Sequence, residues 1–438
     1  YNQNGGLVTV GSWFGGQILA NGVTTPGAPE SPGTIGTLTI GASGNGTYNL
    51  GASGQSNTTT WGGYPDTPGT TPPTFDNANN APYAQVYGNV VIGRDVGSTG
   101  TLNIAGDGTR LSINNVVGFS DQGTMVVGFS GNGTATQTDQ SSVYLDGSMA
   151  VGVNQGAVGS YTLNAGTNGA GSLSVGGDLE IGGTDHVGDP IAQSGGSLGG
   201  TGTFTQNAGQ VSVQSNLVLG ENGDGMADGN GQGTYNLNGG SLTVDNVGYF
   251  GNNGGTGAFN QTSGTATFGS DSNPGGLVLG TAPDPATGGT GSANLSGDAA
   301  LTVNGNLTLG QDAGTTGNLT VGTGTEAPTM AGIGTSAFGF SDGNLTVGYE
   351  GTGNLTINSG SLTVAAASSA SGAASNRSRS SAASAATRGS GGDSYSRSSR
   401  AASRSYSASA ACSAAGVPGA ASDESSAVAA ARDGGSSS

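Results

Sequence analysis

The segment ENGDGMADGNG (221–231) places Asn222, Asp224 and Asp228 at i, i+2 and i+6, with Gly225 directly after the second. Oxygens carried on a tight, glycine-permitted turn can converge on a hard cation such as calcium. The segment lacks the distal bidentate glutamate of a helix–loop–helix site and the nonapeptide calcium repeat. Asn222, Asp224 and Asp228 are therefore a candidate calcium set, and its alternative is a glycine-rich insert carrying solvated acids. His186, the single histidine, stands in GGTDHVGDP beside Asp185 and Asp189. One loop histidine reads as a polar loop residue rather than a metal ligand or base.

Polysaccharide chemistry would ask for more. A lyase needs a strong base, and the first 364 residues offer only Arg94 and Arg110, without a lysine anywhere in the chain. A hydrolase needs paired carboxylates. Asp178 and Glu180 flank Leu179 on one expected strand and point the same way, but nearly all other acids fall at turns. There is no nucleophile elbow and no Walker loop, and the many Gly-x-Gly sequences read as backbone corners. The chain is expected to be non-catalytic, with no cofactor beyond that calcium set; the alternative is a carbohydrate-active lyase or hydrolase on the same kind of fold.

These side chains have to be held by something, and the composition is unusual. Glycine supplies 90 of 438 residues, hydrophobic residues 33% and charged residues 8%. Disordered chains are normally rich in charge or proline, so the low apolar content points instead to a fold that needs few core residues per turn. The net charge of −18 speaks against nucleic acid as a partner. The single cysteine, Cys412, excludes an internal disulfide and a cysteine-based zinc cluster. No apolar run is long enough for a transmembrane helix. The chain opens at Tyr1 inside a repeat, so any signal peptide is expected to have been removed or to lie outside this sequence.

The repeat is clearest in 345–364. Leu345-Thr-Val347, Leu355-Thr-Ile357 and Leu362-Thr-Val364 each alternate apolar and polar residues, separated by Gly348, Gly351, Gly353 and Gly360. Period two means strands, and glycine at the corners means tight turns. The middle strand recurs at 46–50, 100–104, 159–163, 202–206, 233–237, 257–261, 291–295 and 317–321. The strand before it recurs at 90–93, 149–152, 179–182, 217–220, 277–280 and 307–310, and the strand after it at 172–175, 210–213, 241–244 and 300–303. The shortest spacing between middle strands is 24 residues, from 233 to 257. That is one coil of a parallel β-helix. The expected fold is all-β, a right-handed parallel β-helix with three short strands per coil. About eleven coils spaced ~4.8 Å apart would make a rod roughly 50 Å long. A coil cannot bury its apolar side chains alone; neighbouring coils complete its core. Outward Thr and Asn would form long uncharged rows. Those rows mix in Asn, Ser and Glu, which speaks against an ice-binding array.

The unit also resembles the type V secretion/PEP-CTERM-associated repeat of bacterial autotransporter passengers and secreted surface proteins. Val347-Gly348, Gly351, Gly353, Leu355, Ile357, Gly360 and Leu362 carry the likeness, as do Gly100–Ile104 with Gly106 and Leu111. The resemblance implies a non-enzymatic rod, extracellular or on a bacterial outer surface, with an adhesive or structural role. Glycans or proteins of a cell surface or matrix would be its partners.

Insertions follow the glycine that closes the first strand of each coil, at 94–99, 183–201, 221–232, 281–290, 311–316 and 349–352. Stacking would gather them on one edge, with Asp95, Asp185, Asp189, Glu221, Asp224, Asp228, Asp284, Asp312 and Glu350. That edge is either an acidic contact surface or simply where solvating charges sit. A separate insert at about 54–86 holds Pro65, Pro68, Pro72, Pro73 and Pro82 with Trp61, Tyr64, Phe75 and Tyr83. Its aromatics either stack on sugar rings or pin the loop to the rod. Residues 1–364 thus form the repeat domain. From Ala365 to Ser438 the repeat gives way to Ala, Ser and Arg, with seven of the nine arginines and four of the 27 acids. This tail is expected to be disordered, either as a linker or as a repeat gene read out of frame.

Overall fold

The structure, a computed structural model, describes residues 2–3, 7–10, 36–52, 81–115, 123–167, 169–183, 199–222, 231–270, 275–282, 288–322, 329–333 and 343–364. These residues are all-β, without a helix among them. Residues 54–80 of the proline-rich insert and the tail 365–438 lie outside them.

An eleven-stranded parallel sheet runs from Asn2–Gln3 through Asn45–Leu50 and Thr99–Ile104 to Thr352–Ile357. Every middle strand recognised in the sequence belongs to it. A second sheet of twenty strands consists of two parallel ladders that share the strand Tyr83–Ile92. One ladder takes its first half, pairing Ala84 with Leu111 and Val86 with Ile113. The other takes its second half, pairing Val90 with Met125 and Ile92 with Val127. Between the halves Gly88 turns the chain at φ 131°. Only Ala165–Gly166 and Gly169–Ala170 pair antiparallel among the described residues. Long parallel ladders of this kind are consistent with a β-solenoid.

Register explains the core. Tyr161, Phe204, Tyr235 and Phe259 align across successive strands, and Leu179, Leu217 and, one strand beyond Gly248, Leu277 share a row in the ladder beside them. All are buried in one cluster that runs from Ile40 to Val321. Parallel pairing in register keeps every inward position inward, because a one-residue slip would turn all of them out. Outward positions carry amides that bond along the ladder: Asn103 Nδ2 donates to Asn49 Oδ1 at 2.6 Å, Asn260 to Asn236 at 3.0 Å and Asn354 to Asn318 at 2.8 Å. The expected uncharged rows are present on this sheet.

Two expectations need correction. The proline-rich insert does not run to residue 86, because Tyr83–Val86 already belongs to the sheet and Tyr83 is buried. One outward row is also not polar. Val91, Val126 and Ala150 align, and they form a separate buried cluster with Phe129 and Val153.

The corner glycines have a stated job. Gly220, in the strand Leu217–Glu221, sits at φ 66°, and a Cβ there would strike the backbone carbonyl of Thr256, which opens the strand Thr256–Gln261 of the eleven-stranded sheet. Gly156 has a similar φ of 82° but open space around it. Gly156→Ala should therefore cost only the left-handed backbone penalty of about 1–2 kcal/mol. Gly220→Ala should cost that amount plus the displacement of a neighbouring strand, about 3 kcal/mol or more in all. Urea unfolding of the two variants checks the difference; equal losses would show that the corner is not packed against its neighbour.

Candidate functional site

The expected calcium set is represented by Asn222 alone, which is buried behind Leu217–Glu221. Asp224 and Asp228 lie outside the described residues, as do His186, Asp185, Asp189 and Asp284. Among the described residues no group of three or more His, Cys, Asp or Glu comes together.

The acidic edge is represented by Asp95, Glu221, Asp312 and Glu350. All four follow a strand-closing glycine, and the backbone N–H groups of three donate along one corner, Asp95 to Ala42, Glu221 to Gly182 and Glu350 to Gln311, while that of Asp312 donates to Thr315 Oγ1 in its own turn. Their side chains do different things. Arg94 Nε donates to Asp95 Oδ1 at 2.8 Å, and this bond holds the carboxyl below its usual range. Asp312 Oδ2 accepts from the Ala282 N–H and the Thr281 hydroxyl, both at 2.8 Å. Glu221 is not a solvating charge: it is fully buried, and its Oε1 accepts from Asn252 Nδ2 at 2.7 Å. Strand pairing places Asn252 directly beside Glu221, so the next strand brings the donor. Glu350 stands in the open, and the Arg94–Asp95 pair is exposed as well.

The Asp178/Glu180 pair does not stand in the open. Asp178 stands just before the strand Leu179–Ile181, and its Oδ1 accepts the Asn216 N–H at 2.7 Å. Glu180 is buried in the outward row that holds Ala150 and Val218. Of the other buried acids, Asp139 accepts the N–H groups of Gly106 at 3.1 Å and Thr167 at 3.0 Å, and Asp107 Oδ1 accepts the Gln140 N–H at 3.4 Å. Asp146 likewise accepts the Asn115 N–H at 2.8 Å. Asp139, Asp146, Asp178, Glu221 and Asp312 are thus engaged as acceptors that tie one turn to the next. Tyr83, one of the four aromatics considered for sugar stacking, has its ring buried, with the Arg110 guanidinium carbon 5.9 Å from its centroid. Trp61, Tyr64 and Phe75 lie outside the described residues.

A recurrent polar device inside the core was not anticipated. Gln137, Gln206 and Gln261 end three strands of the eleven-stranded sheet and point inward. Each Nε2 donates twice, once within its own turn and once to the following ladder: Gln206 to Gly209 O at 3.0 Å and Ser241 O at 2.9 Å, Gln261 to Gly264 O at 2.9 Å and Ala300 O at 3.0 Å. The Oε1 atoms of Gln137 and Gln206 accept from the hydroxyls of Tyr161 and Tyr235, both at 2.6 Å. Gln261 Oε1 has no such donor, because Ala293 occupies the tyrosine position in that row. Tyr235→Phe would leave Gln206 Oε1 buried without its hydroxyl and should cost about 1–3 kcal/mol. Thermal or urea unfolding measures it, and a neutral result would mean that water reaches the amide.

No family model matches this chain, and neither does any curated protein or solved structure.

Proposed function

We propose that residues 1–364 form a non-catalytic structural or adhesive shaft, secreted or on a bacterial outer surface. In this reading the parallel ladders are the three faces of a right-handed β-helix of about eleven coils. One corner of the coils presents the inserted loops, where glycans or proteins of a surface or matrix are met. The observation that carries the reading is what the described acids do. Asp139, Asp146, Asp178, Asp312 and Glu221 spend carboxylate oxygens on backbone N–H groups, hydroxyls and amides of neighbouring turns. Oxygens so used hold a scaffold together and are not poised to protonate a leaving group. The extracellular role is what the repeat's resemblance implies.

The reading is tested by incubating the protein with acidic polysaccharides, with and without calcium, and following reducing ends and unsaturated products. No product above buffer is expected. Turnover would replace the shaft with the carbohydrate-active alternative.

A further inference from the structure

Two of the buried glutamines hold a surface from below. Gln137 Nε2 donates to Ser141 O at 2.9 Å and Ser172 O at 3.0 Å, and Gln206 Nε2 makes the matching pair to Gly209 O and Ser241 O. On the outside these same turns line one groove of about 490 Å³, built from 140–142, 170–172, 209–210 and 240–241. That volume lies within the ~300–1,000 Å³ of small-molecule sites. The concavity has a cause in the sequence. Gly171, Gly209 and Gly240 stand just before three successive strands of one ladder, so the corner carries no side chain there. The strands then set Ser142, Ser172, Gln210 and Ser241 side by side in one outward row.

A wall is added where the chain departs from its repeat. The hairpin of Ala165–Gly166 and Gly169–Ala170 leads into the groove, whereas the following turns pass directly through 207–209 and 238–240. Asp139, at φ 58°, fastens the hairpin, because its Oδ1 accepts the Thr167 N–H. Floor and wall are thus fixed before any ligand arrives, which lowers the cost of binding one.

What the groove can hold follows from what its lining still offers. The N–H groups of Ser142, Ser172, Gln210 and Ser241 donate to the preceding turn, and Ser172 O and Ser241 O are taken by the glutamines. A peptide strand finds no main-chain edge there. The side chains are different. Outward asparagines elsewhere bond to one another along the ladder, but among the described residues no hydrogen bond engages the hydroxyls of Ser142, Ser172 and Ser241 or the amide of Gln210. The lining carries neither charge nor aromatic ring. Uncharged groups that both donate and accept suit a polyhydroxyl ligand, and a net charge of −18 disfavours an anionic one. We propose that this groove binds a short neutral oligosaccharide across the row Ser142–Ser172–Gln210–Ser241. The site lies on a different corner from the inserted loops, so it stands or falls separately from the proposed function.

Saturation-transfer NMR of the full chain with cellotetraose, maltotetraose and N-acetylchitotetraose, followed by calorimetry, tests it. At least one sugar should bind, with a dissociation constant on the order of 1 mM for so open a site. Gln210→Ala should weaken binding about threefold, and Ser172→Leu with Gln210→Ala at least about tenfold. Both side chains are exposed, so the strands should tolerate these changes. Thr302→Leu, on the same ladder but outside the groove, should change nothing. Silence from all three sugars overturns the proposal. So does binding that ignores the groove variants, or a preference for the acidic tetragalacturonate. None of these outcomes bears on product formation in the polysaccharide assay.

Discussion

Phe204→Ala should lower stability by about 3–5 kcal/mol, among the largest losses a single side chain here can produce. The ring is fully buried and stacks on both sides, with centroids 4.9 Å from Tyr161 at 12° and 4.8 Å from Tyr235 at 14°. Each face contributes about 0.5–1.5 kcal/mol beyond burial, a share that overlaps the total. The cavity cannot collapse easily, because both neighbouring rings are fixed by hydroxyl bonds to Gln137 and Gln206. The damage should also be local. In a stacked array each unit touches only its neighbours, so unfolding need not be all-or-none. Amides of 158–163, 201–206 and 232–237 should lose the most hydrogen-exchange protection, while those of 306–321 keep theirs. A loss spread evenly over all strands would mean one indivisible core.

The contrast with Phe259 shows why position in the row matters. Phe259 lies 5.6 Å from Phe250 and 6.1 Å from Phe268, rings that come from the two other ladders. Three aromatics converge there, and the next strand carries only Ala293 in the row of Phe259. Phe259→Ala therefore leaves rings able to lean inward, and its cost should fall below that of Phe204→Ala.

Strand positions were legible because two signals coincide. Apolar residues recur with period two, and a glycine closes each run where a positive φ and a close carbonyl exclude any side chain. The strands 202–206 and 257–261 were legible through their final glutamines, but the inward burial of those glutamines was not, since a polar amide is expected to face outward. Parity held the answer: Gln206 shares its face with Phe204 two residues earlier. Three apolar residues in succession, as in Val90-Val91-Ile92, likewise signal a strand covered on both faces, and alternation alone hides it. Glu221 shows the limit of reading acids as loop solvation. Its burial depends on Asn252, 31 residues away, and only the register brings them together. Of the candidate calcium set, one residue in three is described, so sequence and structure meet there only at Asn222.

Alkaline pH should destabilise this fold more steeply than an ordinary tyrosine-bearing protein. Burial pushes the phenols of Tyr161 and Tyr235 well above the usual value of 10, and Tyr235 is raised further by Tyr161 nearby. Both hydroxyls also donate to a glutamine oxygen, a bond that the phenolate would lose. Burial pushes Tyr87 up to about 12. Below pH 10 each phenol is protonated in the folded and unfolded chain alike, so nothing changes there. Above it the unfolded chain releases protons that the folded chain still holds, and stability falls by about 1.4 kcal/mol per pH unit per group. Tyr161 and Tyr235 together should remove about 5 kcal/mol by pH 12, with Tyr87 adding to the fall. Urea unfolding from pH 9 to 11.5 measures the slope, and Tyr161→Phe should roughly halve the share due to the buried pair. A flat profile over that range would mean that the two phenols ionise in place. Their rings could then not be sealed between the ladders, and the dry core that holds the stacked strands together would be refuted at its centre.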